Sequence, residues 1–392
     1  MPRIDSNPTP SVLIWARTSA GLSPDQAAKK IEVSAERLLS WESGTEKPTI
    51  AQLRKAGTAY KRPIAVFYLK GPPKGFAVMR DFRRRPGSDS GTVSTALVQE
   101  IRRAHDRRGW ALELMAALGE KPKTINQRIS LSQDVELAAT LLRSFLGVTI
   151  EAQSGWRDQS FNHWRSKTEN AGILTFEMTM VSSDEASGFS IGHRPLPAVV
   201  VNIKDSARAR VFTLLHEIAH ILLGEEGICD LDESGNDEAA RVETFCNNVA
   251  GASIFPKEDL LAFETVRRHS RNHAQWTDEE LRALSSYFGA SREAALVRLA
   301  RLGLTTRAFC DSRRAQFQYE YARTAQAKKE QAAEGFAPPH QLALWSAGPL
   351  FVSLVIENLN RDRISASDFS DYLQIRTKHI PEVQQEYAGF GQ

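Results

Sequence analysis

Apolar positions along this chain recur mainly with the three-to-four-residue spacing of helices, and only one central stretch breaks that rhythm. Residues 1–70 give short helical patterns. Ser23 caps one of them, with Pro24 in its first turn and Gln26 three residues on as the partner of a capping box; Ala27, Ala28 and Ile31 form its apolar stripe. A tight turn at Glu32–Val33 leads to Ser34, which caps a second helix reaching about Trp41, and Gly44 stops it. Two short helices joined by so tight a turn predict a helix-turn-helix.

The cluster GPPKGF (Gly71–Phe76) reads as a boundary. Residues 77–150 open with RDFRRRPG (Arg80–Gly87), read as a turn joining domains. They continue with helical periodicity through VQEIRRAHDRRGWALELMAALG and VELAATLLRSFLG. In residues 151–305 the pattern changes. GILTFEM (Gly172–Met178), SGFSIG (Ser187–Gly192) and AVVVNIK (Ala198–Lys204) have the make-up of short strands, and helices follow. Residues 306–392 begin with a polar, charge-rich exposed helix or linker. They close with a small helical unit, in which Ser365 caps a helix start. The expectation is an α+β chain, mostly helical: an N-terminal five-helix domain (1–70), a helical connecting region (77–150), a central domain with a small sheet (151–305) and a C-terminal helical region (306–392).

Composition fits an ordinary globular protein: 42% hydrophobic and 25% charged over 392 residues. The net charge of +3 permits nucleic-acid contact without demanding it. Cys229, Cys246 and Cys310 are odd in number and form no CxxC pair, which points to reduced thiols. There is no apolar signal core at the amino terminus and no run of 18 apolar residues. The expectation is therefore a cytoplasmic protein with no membrane span.

The chemistry concentrates in FTLLHEIAHILLGEE (Phe212–Glu226). His216 and His220 are four apart and share a helix face, so both imidazoles can reach one Zn²⁺. Glu217 then stands beside the open coordination position as a general base for water. Leu214, Leu215, Ile218, Ile221 and Leu222 indicate a buried helix, where a glutamate without a partner is costly. A third ligand is needed. Glu243, on the helical stretch DEAARVETFCNNVAGASIFP, is the leading choice, with Asp237 and Glu238 as competitors. Asn247, four residues beyond Glu243, can hydrogen-bond a ligand histidine from outside the metal shell.

ARVFTLLHEIAHILLG followed by VETFCNNVAGASIFP resembles the ImmA/IrrE family of zinc metallopeptidases, with LSSYFGASREAALVRLARLGL matching its later helices. The resemblance covers about residues 165–305. It implies a gluzincin-like fold, zinc held by His216, His220 and Glu243, and Glu217 as catalytic base. Cys246 stands where this family often has alanine. An oxyanion donor is also expected; His269, His273 and Tyr287 are candidates, with no ground for choosing among them. Arg208 and Arg210 are expected to pair with acidic groups.

The N-terminal segment resembles the XRE-type (phage-repressor-like) domain through Leu22-Ser23, Val33-Ser34, Glu42-Ser43-Gly44 and Lys47-Pro48-Thr49. That resemblance implies double-stranded DNA as a partner. Ser34, Ala35, Glu36, Arg37 and Ser40 would meet the major groove, and Lys29, Lys30 and Lys47 would meet phosphates. Pro24 departs from the family's usual glutamine, removing one contact. A homodimer on a two-fold site would be the binding form. The combined expectation is a zinc endopeptidase fused to a DNA-binding domain, a regulatory protease that cleaves transcriptional repressors in stress or mobile-element responses. The alternatives are a transcription regulator whose zinc is structural or sensory, and a toxin–antitoxin or phage-defence component.

Overall fold

The structure is a computed structural model that describes residues 6–60, 62, 64–72, 94–224, 236–269, 275–331 and 338–390. The basic run Arg80–Gly87 and His273 lie outside them. The described chain is α+β and mostly helical, as its residue patterns suggest. It divides into two compact units, one made of residues 1–80 with 87–103, the other of 81–86 with 104–392.

In the first unit, helices α1 (Pro10–Ser19), α2 (Pro24–Ile31), α3 (Ala35–Glu42) and α4 (Ile50–Tyr60) precede a 3-10 turn at Ile64–Tyr68. The capping box at Ser23 forms as its spacing demands: Ser23 Oγ accepts from the Gln26 N–H at 3.2 Å and Gln26 Oε1 from the Ser23 N–H at 3.0 Å. Glu32 ends α2 in the left-handed region at φ 62°, and Ser34 Oγ then accepts from the Arg37 N–H at 3.3 Å. A core of Leu13, Leu38, Trp41, Leu53, Tyr60 and Phe67 sits between these helices. At its margin Arg17 makes a two-pronged bond to Glu42, with Nε 2.7 Å and Nη2 2.9 Å from the two carboxylate oxygens. The start of α5 (Thr95–Leu118) also belongs to this unit, and Arg102 donates to the Tyr60 carbonyl.

The second unit holds the rest of α5, then α6 (Val135–Leu146), α7 (Ile150–Gly155) and α8 (Ser160–Asn170). Strands β1 (Leu174–Met178), β2 (Gly188–Ile191) and β3 (Ala198–Asn202) come next. The remaining helices are α9 (Ala207–Leu223), α10 (Asn236–Ile254), α11 (Lys257–Ala262), α12 (Glu264–Arg267), α13 (Asp278–Phe288), α14 (Arg292–Arg301), α15 (Arg307–Gln331), α16 (Pro339–Ala347), α17 (Pro349–Asn360), α18 (Ala366–Leu373) and α19 (Ile380–Phe390).

The sheet order is β1-β3-β2, with β3 parallel to β1 and antiparallel to β2. Ala198–Asn202 is buried throughout, which explains its unbroken Ala-Val-Val-Val run: a central strand covered on both faces has no polar side to alternate with. One large core joins α6, α8, α9, α10, α13 and α14. Leu142, Trp164, Leu215, Val249, Leu284 and Leu299 all have negligible exposure there.

The C-terminal helices belong to this unit and meet β1 at a corner. Gly348, at φ 82°, separates α16 from α17, whose axes differ by 111°. A Cβ on Gly348 would collide with the Thr175 carbonyl of β1, so only glycine lets the corner come this close. Arg165 donates to the carbonyls of Thr175 and Trp345, both at 2.9 Å, and Arg107 donates to the Ser346 carbonyl at 2.7 Å. Two cations thus cover the free carbonyl end of α16. No single helix among the described residues is long and apolar enough to cross a membrane; α16 and α17 reach that length only together, across their bend.

Candidate metal centre

Helix α9 starts with a Ser206 Oγ cap on the Ala209 N–H and ends at Gly224, at φ 68°. Its apolar residues run nearly all the way round, as befits a helix packed between α8, α10 and the sheet. Into this buried helix are set His216, with no exposed surface, and Glu217, at 4%. His220 lies one turn on and is partly exposed. Helix α10 packs beside α9 and brings Glu243 to the pair.

His216 Nε2 and His220 Nε2 are 3.0 Å apart. Glu243 Oε1 is 3.0 Å from His220 Nε2, and Glu243 Oε2 is 3.4 Å from His216 Nε2. A tetrahedral ion with bonds of about 2.05 Å has donor-to-donor edges of roughly 3.3 Å. The observed separations of 3.0–3.4 Å lie close to that edge, so the three groups are spaced to hold a zinc-type ion. Borderline nitrogen and carboxylate donors suit such a metal chemically as well.

The electrostatics point the same way. Burial alone would lower the pKa of His220, but Cys246, Glu243 and Glu217 outweigh it, leaving the group raised well above its usual value. Its surroundings therefore favour a positive charge at this spot, which a proton or a metal ion can supply. Burial pushes the Cys246 thiol up, so the sulfur stays protonated beside His220.

Glu217 faces the sheet. A Cβ built on Gly188 of β2 would lie 3.7 Å from Glu217 Oε1 and 2.8 Å from the Val200 carbonyl, and closer still to Thr213 Cγ2. Glycine here allows the strand to lie against the helix turn that carries the carboxylate. Arg210, in the first turns of α9, donates to Glu177 Oε2 at 2.7 Å; Arg208 donates to Ser285 Oγ at 2.7 Å and Asp158 at 3.2 Å. Both arginines orient the helix through acidic or hydroxyl partners.

Residues 168–300 match the model of a peptidase family described as the IrrE N-terminal-like domain, and residues 13–67 match a helix-turn-helix model. The chain joins a helix-turn-helix domain to an IrrE-like domain. No curated protein matches it. The His216–His220–Glu243 triangle and Glu217 fall inside the IrrE-like segment, and α2 and α3 inside the other.

Other expected residues of the IrrE-like domain are placed differently. The hydrogen bond expected from Asn247 to a ligand histidine is not formed, and the Asn247 side chain bonds to none of the described residues. Besides Glu243, the α10 residue in contact with His220 is Cys246. A helix turns 100° per residue, so Cys246 rather than its neighbour faces the histidine. Glu238 is exposed at the start of α10 and outside the donor group; nothing is described of the Asp237 side chain. His269 is held by Glu280 at 2.6 Å, and Tyr287 packs on Phe263, so neither is committed to the donor triangle.

In the helix-turn-helix, Ser34, Glu36, Lys29, Lys30 and Lys47 are exposed. Arg37 is partly exposed, with Nε 3.7 Å from Glu46. Ser40 turns its hydroxyl back to the Arg37 carbonyl at 2.8 Å, and Ala35 is partly buried. Leu39, 47% exposed on the outer face of α3, is an apolar member of this surface that helical spacing alone would have found.

Proposed function

We propose that the chain is a zinc-type metalloendopeptidase that uses its helix-turn-helix to reach double-stranded DNA. His216, His220 and Glu243 would hold the ion. When bound, such an ion supplies Lewis acidity, polarising a peptide carbonyl and making water a better nucleophile. Glu217 accepts the proton of the attacking water and returns it to the leaving amine nitrogen. Its placement suits that work: it is buried, one residue from a metal donor, and next to an edge strand beside which an extended peptide can lie. Burial keeps bulk water largely away from the carboxylate.

The observation that carries this reading is the buried Glu217 beside a group of three donors among the described residues. A structural zinc site takes four protein donors and has no use for such a base. The DNA role is supported by the exposed face of α3 and by charge: residues 1–72 carry eleven Lys and Arg against six Asp and Glu. As substrates we assign transcriptional repressors, which occupy the DNA that the helix-turn-helix would bind, and as location the cytoplasm. A homodimer would place two α3 helices on one two-fold site.

The test is co-expression with candidate repressors, reading fragments by mass spectrometry. The parent should cut at a defined bond, whereas Glu217→Gln should retain a full equivalent of zinc and leave the repressor intact. Equal cleavage by both forms would overturn the assignment.

A further inference from the structure

The start of α16 and the turn leading into α19 bring two histidines and two glutamates together. His379 closes the 3-10 turn Thr377–His379, and Glu382 and Glu386 follow it by three and seven residues, so the two glutamates share a face of α19. Helix α16 packs against α19 and adds His340 from its first turn. His340 Nε2 is 3.2 Å from Glu386 Oε1, and His379 Nδ1 is 3.9 Å from Glu382 Oε1. The centroids of the two imidazole rings are 6.1 Å apart. Gln341 Nε2 donates to the same Glu386 oxygen at 2.9 Å, which fixes that carboxylate from outside the group.

Hydrogen bonding within the group is incomplete. His340 Nδ1, His379 Nδ1 and Glu382 Oε2 are buried and have no hydrogen-bond partner among the described residues. Folded proteins pair nearly all such atoms, so three orphans in one set of four side chains call for a further occupant. The two glutamates also bring negative charge, and among the described residues no Lys or Arg pairs with either. The occupant that satisfies both conditions is a cation.

We infer that His340, His379, Glu382 and Glu386 form a second metal site, which takes a divalent transition ion such as Zn²⁺. Imidazole and carboxylate donors together suit Zn²⁺, Co²⁺ or Ni²⁺, whereas Mg²⁺ and Ca²⁺ call for oxygen alone. His340 Nε2 and Glu386 Oε1 already stand close to the roughly 3.3 Å donor edge of a tetrahedral ion. Two imidazoles on one such ion have centroids roughly 5 Å apart, so His379 has to approach His340 by about 1 Å. The four donors are thus less closely gathered than those of His216, His220 and Glu243, which all lie within 4.8 Å of one another. Binding of the ion draws the turn and α19 onto α16. With four protein donors the site is closed, and its role is to pin the last helix rather than to activate water.

The test uses the full chain, stripped of metal and dialysed against buffered Zn²⁺ in excess Mg²⁺. In a His216→Ala/His220→Ala background one equivalent of zinc should remain. Adding His379→Ala should weaken it at least about tenfold, since a direct donor matters no less than an outer partner. Adding both His340→Ala and His379→Ala should abolish it. In the parent chain, Zn²⁺ should protect His340 and His379 from acylation by diethyl pyrocarbonate, read by peptide mapping, a measurement that needs no variant to fold.

Absence of the remaining equivalent, its survival in the fourfold variant, or equal acylation with and without zinc would overturn the site. None of these readouts uses the donor triangle of α9 and α10 or the cleavage of a peptide, so this site stands or falls apart from the peptidase reading.

Discussion

Leu350 donates its backbone N–H to Glu169 Oε2 at 3.0 Å, so a carboxylate on α8 caps the first turn of α17. Four residues earlier on α8, Arg165 holds the Trp345 carbonyl at the end of α16. One helix therefore offers an anion to a helix N-terminus and a cation to a helix C-terminus, matching both dipoles at the Gly348 corner. Arg165 also donates to Glu177, and Glu177 accepts from Arg210 of α9, so a buried chain of charges links the corner to the helix that carries the metal donors.

Glu169 makes this docking sensitive to pH. Burial raises its pKa from the usual 4.5 to about 7, against the opposing pull of Arg165 and the N–H groups of Leu350 and Thr175. The folded state thus binds this proton more tightly than the unfolded chain does. Its contribution to stability is fully present below about pH 4.5 and is lost as pH rises through about 7. The full effect is on the order of 3 kcal/mol. Glu169→Gln should flatten the fall in stability between pH 5 and 7, measured as urea midpoints across that range. An unchanged slope would show that Glu169 is already charged at pH 5.

Gly188 should tolerate no side chain. Gly188→Ala would press a methyl group against Thr213 and the Val200 carbonyl, for a loss of about 1–3 kcal/mol. Adding Thr213→Ser removes the offending methyl and should restore part of it. Thermal unfolding of the single and double variants decides this, and full stability in Gly188→Ala would contradict the close packing.

In the first unit, Arg17 is tied to Glu42 with little exposure of either side chain. Glu42→Ala leaves a guanidinium without its partner in a confined place, for a loss of about 3 kcal/mol. Replacing Arg17 as well should cost less than the sum of the two single changes. Circular dichroism melts of residues 1–72 within the full chain, followed through Trp15 and Trp41 fluorescence changes in otherwise tryptophan-free protein, would measure it.

Removing a metal donor should act on the metal first. Glu243→Ala or His220→Ala should weaken zinc binding at least a hundredfold in chelator competition, while Glu217→Gln should change it by less than tenfold. Affinity should fall as pH drops, starting above the ordinary imidazole range, because His220 holds its proton more tightly than usual and must shed it to bind. Equal zinc affinity in Glu243→Ala and the parent would exclude Glu243 as a donor.

DNA contacts allow a separate measurement. Arg37→Ala should weaken binding to a preferred site by about 1–3 kcal/mol, and Lys47→Ala should weaken all sequences alike and reduce the salt dependence. Gel shifts at two salt concentrations distinguish the two patterns.

Local rules were enough to read much of this protein from its residues. The capping box at Ser23, the cap at Ser34, the buried strand Ala198–Asn202 and the shared face of His216 and His220 depend on spacings of two to four residues, which sequence displays directly. Long-range partners were not available in that way. That Cys246 and not Asn247 would touch His220, that Gly188 would lie under Thr213, and that Glu169 would cap a helix 180 residues later all follow from how elements pack. The sequence by itself determined which helices and strands form and which side chains share a helix face, because backbone geometry repeats every few residues. Tertiary structure alone decided which faces meet, because packing joins surfaces far apart in the chain and rewards complementarity that no local pattern records.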